Sequence, residues 1–232
     1  MGAARGARVD RDLERWAREL LAHDERLRGL TVEARFDGGV AHLSGQVSRD
    51  AELRLVRELV GRLAGVHAVW DTVRVAGREP VRLDVGCGAV KQYAGNVGVD
   101  QYALAGVDIV ADVSRPLPFR SGSVDRIFAV HVLEHLLDFL PLLDECWRLL
   151  RPGGILHVLS PDWRHVNAVA DPTHVRYLDV QTFKYLCTEH PARCRWLPLA
   201  AGSDGASVLA DLTPVKGDQQ PADETLLSRF FD

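Results

Sequence analysis

Two groups of residues in this 232-residue chain are of types that carry chemistry. The first lies in the run Val81-Arg82-Leu83-Asp84-Val85-Gly86-Cys87-Gly88 and in Asn96-Val97-Gly98-Val99-Asp100. Gly86 and Gly88 let the backbone turn sharply and approach a ligand with no Cβ in the way. Asp84 can accept hydrogen bonds at the carboxyl end of a sheet, and Asp100, the acid that ends the second strand, offers two acceptor oxygens that can grip both hydroxyls of a ribose. The second group is His131, Glu134, His135, Asp162, His165, Asp171 and His174. Histidine changes charge near neutral pH, so it can take a proton from a hydroxyl or an amine.

The elements that must hold the first group are short strands. Val81, Leu83 and Val85 make an apolar strand that ends in the glycine turn, and Asp100 closes a second strand. Open α/β sheets bind ligands at the carboxyl ends of their strands. A dinucleotide fingerprint would place a third glycine at position 91 and its acid about 20 residues on. Here position 91 is Lys, Asp100 comes early, and the Ala89–Gly95 connection is too short for a crossover helix. These features argue against NAD. A third strand is expected over Val107–Asp112, followed by Pro116-Leu117-Pro118-Phe119. A fourth runs from Ser123 to Val130, with Glu134 and His135 opening a helix behind it. A fifth covers Ile155–Pro161 after Leu149-Leu150-Arg151-Pro152-Gly153-Gly154.

Taken in order, D-V-G-C-G, G-V-D, A-D-V…P-L-P-F, V-L-E-H-L and L-R-P-G-G-I-L resemble the class I S-adenosylmethionine-dependent methyltransferases of the type 11 kind. The likeness covers roughly residues 80–215. The compressed first connection and Asp171-Pro172-Thr173-His174 are similar to a subgroup whose first helix is reduced to a turn. The resemblance implies a Rossmann-like sheet that holds S-adenosylmethionine. Gly86 and Gly88 would meet the methionine portion, with Asp84 near its ammonium group and His131 passing the same end. Asp100 would take the ribose, Asp112 the adenine amino group, and Val113 the face of the ring. His174 and His135 are the candidate bases; for His174 an equal reading is a turn fixed by Asp171 and Thr173. His131-x-x-Glu134-His135 is similar in placement to the divalent-metal motif of ubiquinone-pathway O-methyltransferases, but position 131 would there be an acid. Magnesium prefers oxygen ligands, so no metal is expected.

Residues before Pro80 follow another pattern. Leu13, Trp16, Ala17, Leu20 and Leu21 fall on one helical face. A strand over Leu30–Phe36, a turn at Asp37-Gly38-Gly39 and a strand over Val40–Val47 form a hairpin. Ser48 is the expected cap of a helix whose stripe is Leu53, Val56, Leu59, Val60 and Leu63, and Gly65–Val75 returns as one strand. This α-β-β-α-β order, with V-x-L-S-G-Q-V, resembles a BON module over Val9–Val75. The resemblance implies a protein or lipid partner, and self-association is compatible with it. The expected architecture is therefore α/β, a class I methyltransferase sheet over residues 77–232 behind a small α+β domain over residues 1–76.

A net charge of −4 does not suit general nucleic-acid binding. Cys87, Cys146, Cys187 and Cys194 show no C-x-x-C spacing, and free thiols suit a reducing compartment. No apolar run follows the amino terminus, so no secretory signal is expected and the location is expected to be cytoplasmic. The leading reading is methyl transfer to an oxygen or nitrogen of an unidentified, preferentially small, acceptor. The alternative is a non-catalytic nucleoside-binding protein whose output is the BON-like module. The tail Trp196–Thr213 alternates as a hairpin, and Leu226–Phe231 is a candidate short helix.

Overall fold

The computed structural model describes residues 2–188 and 194–231, with side chains from residue 8 onward. The chain divides into two compact units, Met1–Pro80 and Val81–Asp232.

In the first unit, α1 (Gly2–His23) buries Leu13 and Ala17, while Trp16 is left exposed beside the Arg15 guanidinium. The apolar stripe thus runs through positions 13, 17 and 20, and Trp16 falls on its flank. Strands β1 (Thr31–Asp37) and β2 (Val40–Val47) are antiparallel, joined through Gly38 and Gly39 at φ +57° and +78°. Two left-handed residues in a row give the twist that a two-residue hairpin needs. Helix α2 (Asp50–Gly61) is capped at Arg49, not at Ser48. The Glu52 carboxylate accepts from both backbone amides, Ser48 at 2.8 Å and Arg49 at 3.3 Å, so the third residue of the helix supplies the cap. The last expected strand is broken into β3 (Ala68–Asp71) and β4 (Arg74–Val75), both parallel to β2. Between them Val73 turns into the core at 1% exposure, which interrupts the ladder.

The second unit is a seven-stranded sheet in the order β10-β11-β9-β8-β5-β6-β7. Its strands are β5 (Arg82–Val85), β6 (Val97–Asp100), β7 (Ile109–Val110), β8 (Val124–Val130), β9 (Leu150–Pro161), β10 (Trp196–Ser203) and β11 (Ser207–Pro214). The run β7-β6-β5-β8-β9 is parallel; β11 is antiparallel to β9 and β10 to β11. Helices α3 (Leu140–Leu149), α4 (Val166–Ala170) and α5 (Val180–Cys187) follow β8 and β9, and α6 (Glu224–Phe231) follows β11. The connections from β5 through β6 and β7 to β8 contain no α-helix. The third strand is only two residues long, shorter than Val107–Asp112 predicts. Glu134 and His135 lie in a single 3₁₀ turn, Leu133–His135, and the α-helix begins at Leu140, next to Pro141. Proline at the first positions of a helix loses no hydrogen bond, so the helix starts there instead.

Alternate residues of the strands, Leu83, Val85, Ile127, Ala129, Leu156 and Val158, join Phe183, Trp196, Leu227 and Phe231 in one core. Asp179 caps α5 by accepting from the Thr182 amide at 3.0 Å.

Candidate functional site

The chain runs outward from β5 through β6 to β7, then returns to lay β8 on the other side of β5. The order reverses at β5, and the crevice at the carboxyl ends of β5 and β8 is where such sheets bind ligands. The glycine turn opens on that crevice. Gly86 has φ +63°, and a Cβ there would lie 2.6 Å from the Val132 side chain. Glycine is thus demanded twice over, by conformation and by the close approach of the β8 exit. Gly88 also has a left-handed φ, +56°, but a Cβ there would meet nothing within 4 Å. The open side of Gly88 leaves its backbone approachable, which fits a ligand held against the turn.

The carboxylates predicted around this turn are brought together by the fold. Asp100, buried at 9% exposure, accepts from the Gly88 amide at 2.9 Å and from the Tyr102 amide at 3.0 Å. One acid thus ties the ends of β5 and β6 to each other. Asp84, 2% exposed, accepts from the Gln92 amide at 2.5 Å and from the Asn96 side chain at 3.4 Å. Burial raises its pKa above the ordinary carboxylate value, against the lowering effect of these hydrogen bonds and of Lys91. These hydrogen bonds make it the anchor of the Ala89–Asn96 connection. Cys87 donates to the Gly106 carbonyl at 3.4 Å; burial first, then the charges of Asp84 and Asp100, push its thiol up. A thiol held protonated is no nucleophile.

Asp112 lies in a different local setting. Its carboxylate accepts from the Ser114 hydroxyl at 2.6 Å and the Ser114 amide at 2.9 Å, with Arg115 at 3.4 Å. These hydrogen bonds hold it below the usual carboxylate range. Val113, next to it, packs partly buried against the core. His131 sits at the exit of β8 with φ +55°, a left-handed conformation for a residue with a side chain. Such strain costs about 1–3 kcal/mol and gathers at functional sites. Its Nδ1 lies 3.1 Å from Glu134.

The two candidate bases meet. The rings of His135 and His174 stand edge to face with centroids 4.7 Å apart. Glu134 completes the group: one ligand atom from each of Glu134, His135 and His174 lies within 4.8 Å of the others. Asp171 and Thr173 do form the expected turn, Asp171 accepting from the Thr173 amide at 2.8 Å and hydroxyl at 2.7 Å. The turn does not displace His174 from the site; it carries Thr173 to within 3.0 Å of His135 Nδ1. His165 lies elsewhere, capping α4 through the Asn167 amide.

Two further polar residues, Ser160 and Asn96, escape a reading of the sequence. Ser160 donates to Glu134 at 2.7 Å, and Asn96 accepts from Arg82 at 2.9 Å while it donates to Asp84. The signal for Ser160 is a hydroxyl next to the carboxyl end of β9, just before Pro161. Asn96 gives none beyond its place before the second strand.

A parallel sheet of order β7-β6-β5-β8-β9 closed by an antiparallel hairpin is the fold of a class I S-adenosylmethionine-dependent methyltransferase. Residues 83–158 match the family model of a methyltransferase domain, and residues 10–77 match that of a BON domain. The chain therefore joins a class I methyltransferase domain to a BON module. It is 41% identical over 56 residues to a probable S-adenosylmethionine-dependent methyltransferase of Mycolicibacterium smegmatis, covering 24% of this chain and 22% of that protein. It is 32% identical over 103 residues to the ubiquinone biosynthesis O-methyltransferase of Rhodopseudomonas palustris, covering 35% and 41%. The chain thus spans less than half the length of these curated relatives. A crystal structure of an S-adenosylmethionine-dependent methyltransferase from Archaeoglobus fulgidus aligns with a TM-score of 0.39 at 21% identity, over 46% of this chain and 57% of that one.

Proposed function

We propose that the second unit transfers a methyl group from S-adenosylmethionine to an oxygen or nitrogen of a small-molecule acceptor. The observation that carries this reading is the Gly86–Gly88 turn bound to Asp100 at the switch point of a methyltransferase sheet. The sulfonium nucleoside supplies an activated methyl carbon. The acceptor's lone pair bonds to that carbon as the carbon–sulfur bond breaks, and the acceptor's proton must be taken up. In-line displacement needs alignment above all, and holding the two reactants is the main contribution of the protein. Gly86 and Gly88 would hold the methionine portion and Asp84 would face its ammonium group. The remaining acceptor positions of Asp100 would take the ribose hydroxyls, with Asp112 and Val113 at the adenine. His131 would line the methionine end.

His135 and His174 are the groups that would receive the proton. Nδ1 of His174 faces the Ala168 carbonyl at 3.2 Å and Nδ1 of His135 faces the Thr173 hydroxyl, so each ring keeps Nε2 for this task. The first unit would bind a protein or lipid partner; its core is filled by Leu13, Leu27, Leu43, Val56 and their neighbours, and its role is recognition. A cytoplasmic setting agrees with the buried thiols of Cys146 and Cys187, the latter pushed up to about 12 by burial. No described helix is long and apolar enough to cross a membrane.

Calorimetric titration of the whole chain with S-adenosylmethionine, its demethylated product and NAD tests the reading. Both sulfur nucleosides should bind and NAD should bind far more weakly. NAD binding as tight as either would overturn it.

A further inference from the structure

We propose that Glu134, His135 and His174 form a binding site for one divalent transition-metal ion of the zinc type. The three side chains come from two separate segments. Glu134 and His135 lie on the turn after β8, and His174 on the loop after α4. One potential ligand atom from each lies within 4.8 Å of the other two.

The hydrogen bonds around the cluster favour binding. Histidines that hold a metal commonly donate their second ring N–H to a carbonyl or a carboxylate-linked group, which fixes the tautomer and orients the ring. Both rings here have such a partner. His174 places Nδ1 3.2 Å from the Ala168 carbonyl, which can only accept. His135 places Nδ1 3.0 Å from the Thr173 hydroxyl, whose own proton goes to Asp171 at 2.7 Å. In each ring the proton therefore sits on Nδ1 and the lone pair on Nε2. The chain Asp171–Thr173–His135 puts a carboxylate behind one ligand, and Asp171 Oδ2 also lies 3.8 Å from His174 Nε2.

The third ligand is equally prepared. Glu134 is 1% exposed and held by the Ser160 hydroxyl at 2.7 Å and His131 at 3.1 Å. A carboxylate at the base of the cluster and two imidazoles make a set of one oxygen and two nitrogens. That set suits zinc, cobalt or ferrous iron, whereas magnesium and calcium want more oxygen ligands. The ring of His135 is exposed, which leaves coordination positions open on that side. An ion there would occupy both Nε2 lone pairs, and an acceptor hydroxyl bound to it would be more acidic and would release its proton to solvent water. That last consequence rests on the methyl-transfer reading; the binding itself does not.

The test uses the full chain, stripped with a chelator and titrated with Zn²⁺ and Co²⁺. One ion should bind per chain, with visible Co²⁺ bands of low-symmetry coordination, and excess Mg²⁺ should not displace it. His135→Ala removes an exposed side chain, so its loss of binding reports a ligand and not misfolding. His174→Ala should lose binding as well. Thr173→Val should weaken it about 10–100-fold by freeing the His135 ring, and His165→Ala should leave it unchanged. Absence of a stoichiometric ion in the wild-type chain would overturn the proposal. So would binding that survives both His135→Ala and His174→Ala in folded protein, since the ion would then sit on other groups. Calorimetry of the stripped protein with the demethylated cofactor product separates the two readings. Nucleoside binding without ion binding removes only the metal site, and loss of nucleoside binding removes the methyltransferase reading.

Discussion

On one side of β5, strands β8 and β9 are joined through α3, and β9 and β10 through α4 and α5, over a core that includes Phe183, Trp196 and Leu212. On the other side, β5, β6 and β7 are joined by connections with no α-helix, and carboxylates fasten them. Asp84 holds the Gln92 amide, Asp100 holds the amides of Gly88 and Tyr102, and Asp108 holds the Gly98 amide at 2.7 Å and the Lys91 ammonium at 2.8 Å. A helix fixes a connection by burying an apolar stripe. A carboxylate fixes one by satisfying amides that would otherwise lack partners. The second device leaves backbone and polar groups close to the crevice, and that half is where the proposed cofactor site lies.

The largest effect should come from the helical half. Phe183→Ala empties a fully buried position and should cost about 3–5 kcal/mol of stability. Denaturant unfolding measures this, and nucleoside affinity at low temperature should be unchanged in the folded fraction. A parallel drop in affinity would show that the two halves are not separable.

Gly98→Ala is the matching change on the loop side. A Cβ there would stand 2.1 Å from the Gly106 carbonyl oxygen and 2.8 Å from the Cys87 sulfur. Overpacking of this kind should cost about 1–3 kcal/mol, again read by unfolding. Tolerance of alanine would mean that the helix-free connections are looser than their hydrogen bonds imply.

Asp100→Ala should raise the dissociation constant for S-adenosylmethionine by roughly 10–100-fold, about 1–3 kcal/mol, because the ribose hydroxyls lose a charged acceptor. The melting temperature should fall less than in Phe183→Ala, since the amides of Gly88 and Tyr102 can turn to water. An unchanged constant in folded protein would refute the ribose role.

The smallest effect concerns pH. The hydrogen bonds from Lys91 and then from the Gly98 amide hold Asp108 below its ordinary value of 3.8. A carboxyl lowered on folding contributes stability that is fully present above that value and is lost as pH falls through the lowered one. Wild-type and Asp108→Asn proteins should therefore differ slightly at neutral pH and converge in acid. A gap that widens in acid would give the sign the other way.

Much of this arrangement is legible in the amino-acid sequence. Gly86, Gly88 and Asp100 stand out because their roles are local: a left-handed turn and an acid at a strand end leave marks within a few residues. The core stripe of Leu53, Val56, Leu59 and Val60 is legible for the same reason, through its helical period. The cap of α2 is not legible in this way. A serine before a helix is a strong signal and points to Ser48, whereas the geometry shows Glu52 reaching back to both amides. Spacing likewise points Trp16 inward, yet the helix rotation that buries Leu13 and Ala17 leaves it outside.

By itself the sequence determined the two modules, the order of chemistry-bearing motifs and the acids and glycines at their ends, because each is written in short-range pattern. It could not determine that His174 meets Glu134 and His135, nor that Ser160 holds the Glu134 carboxylate. Those contacts join segments separated by whole strands and helices, and only the packing of β8 beside β9 and the fold of the following loop bring them together.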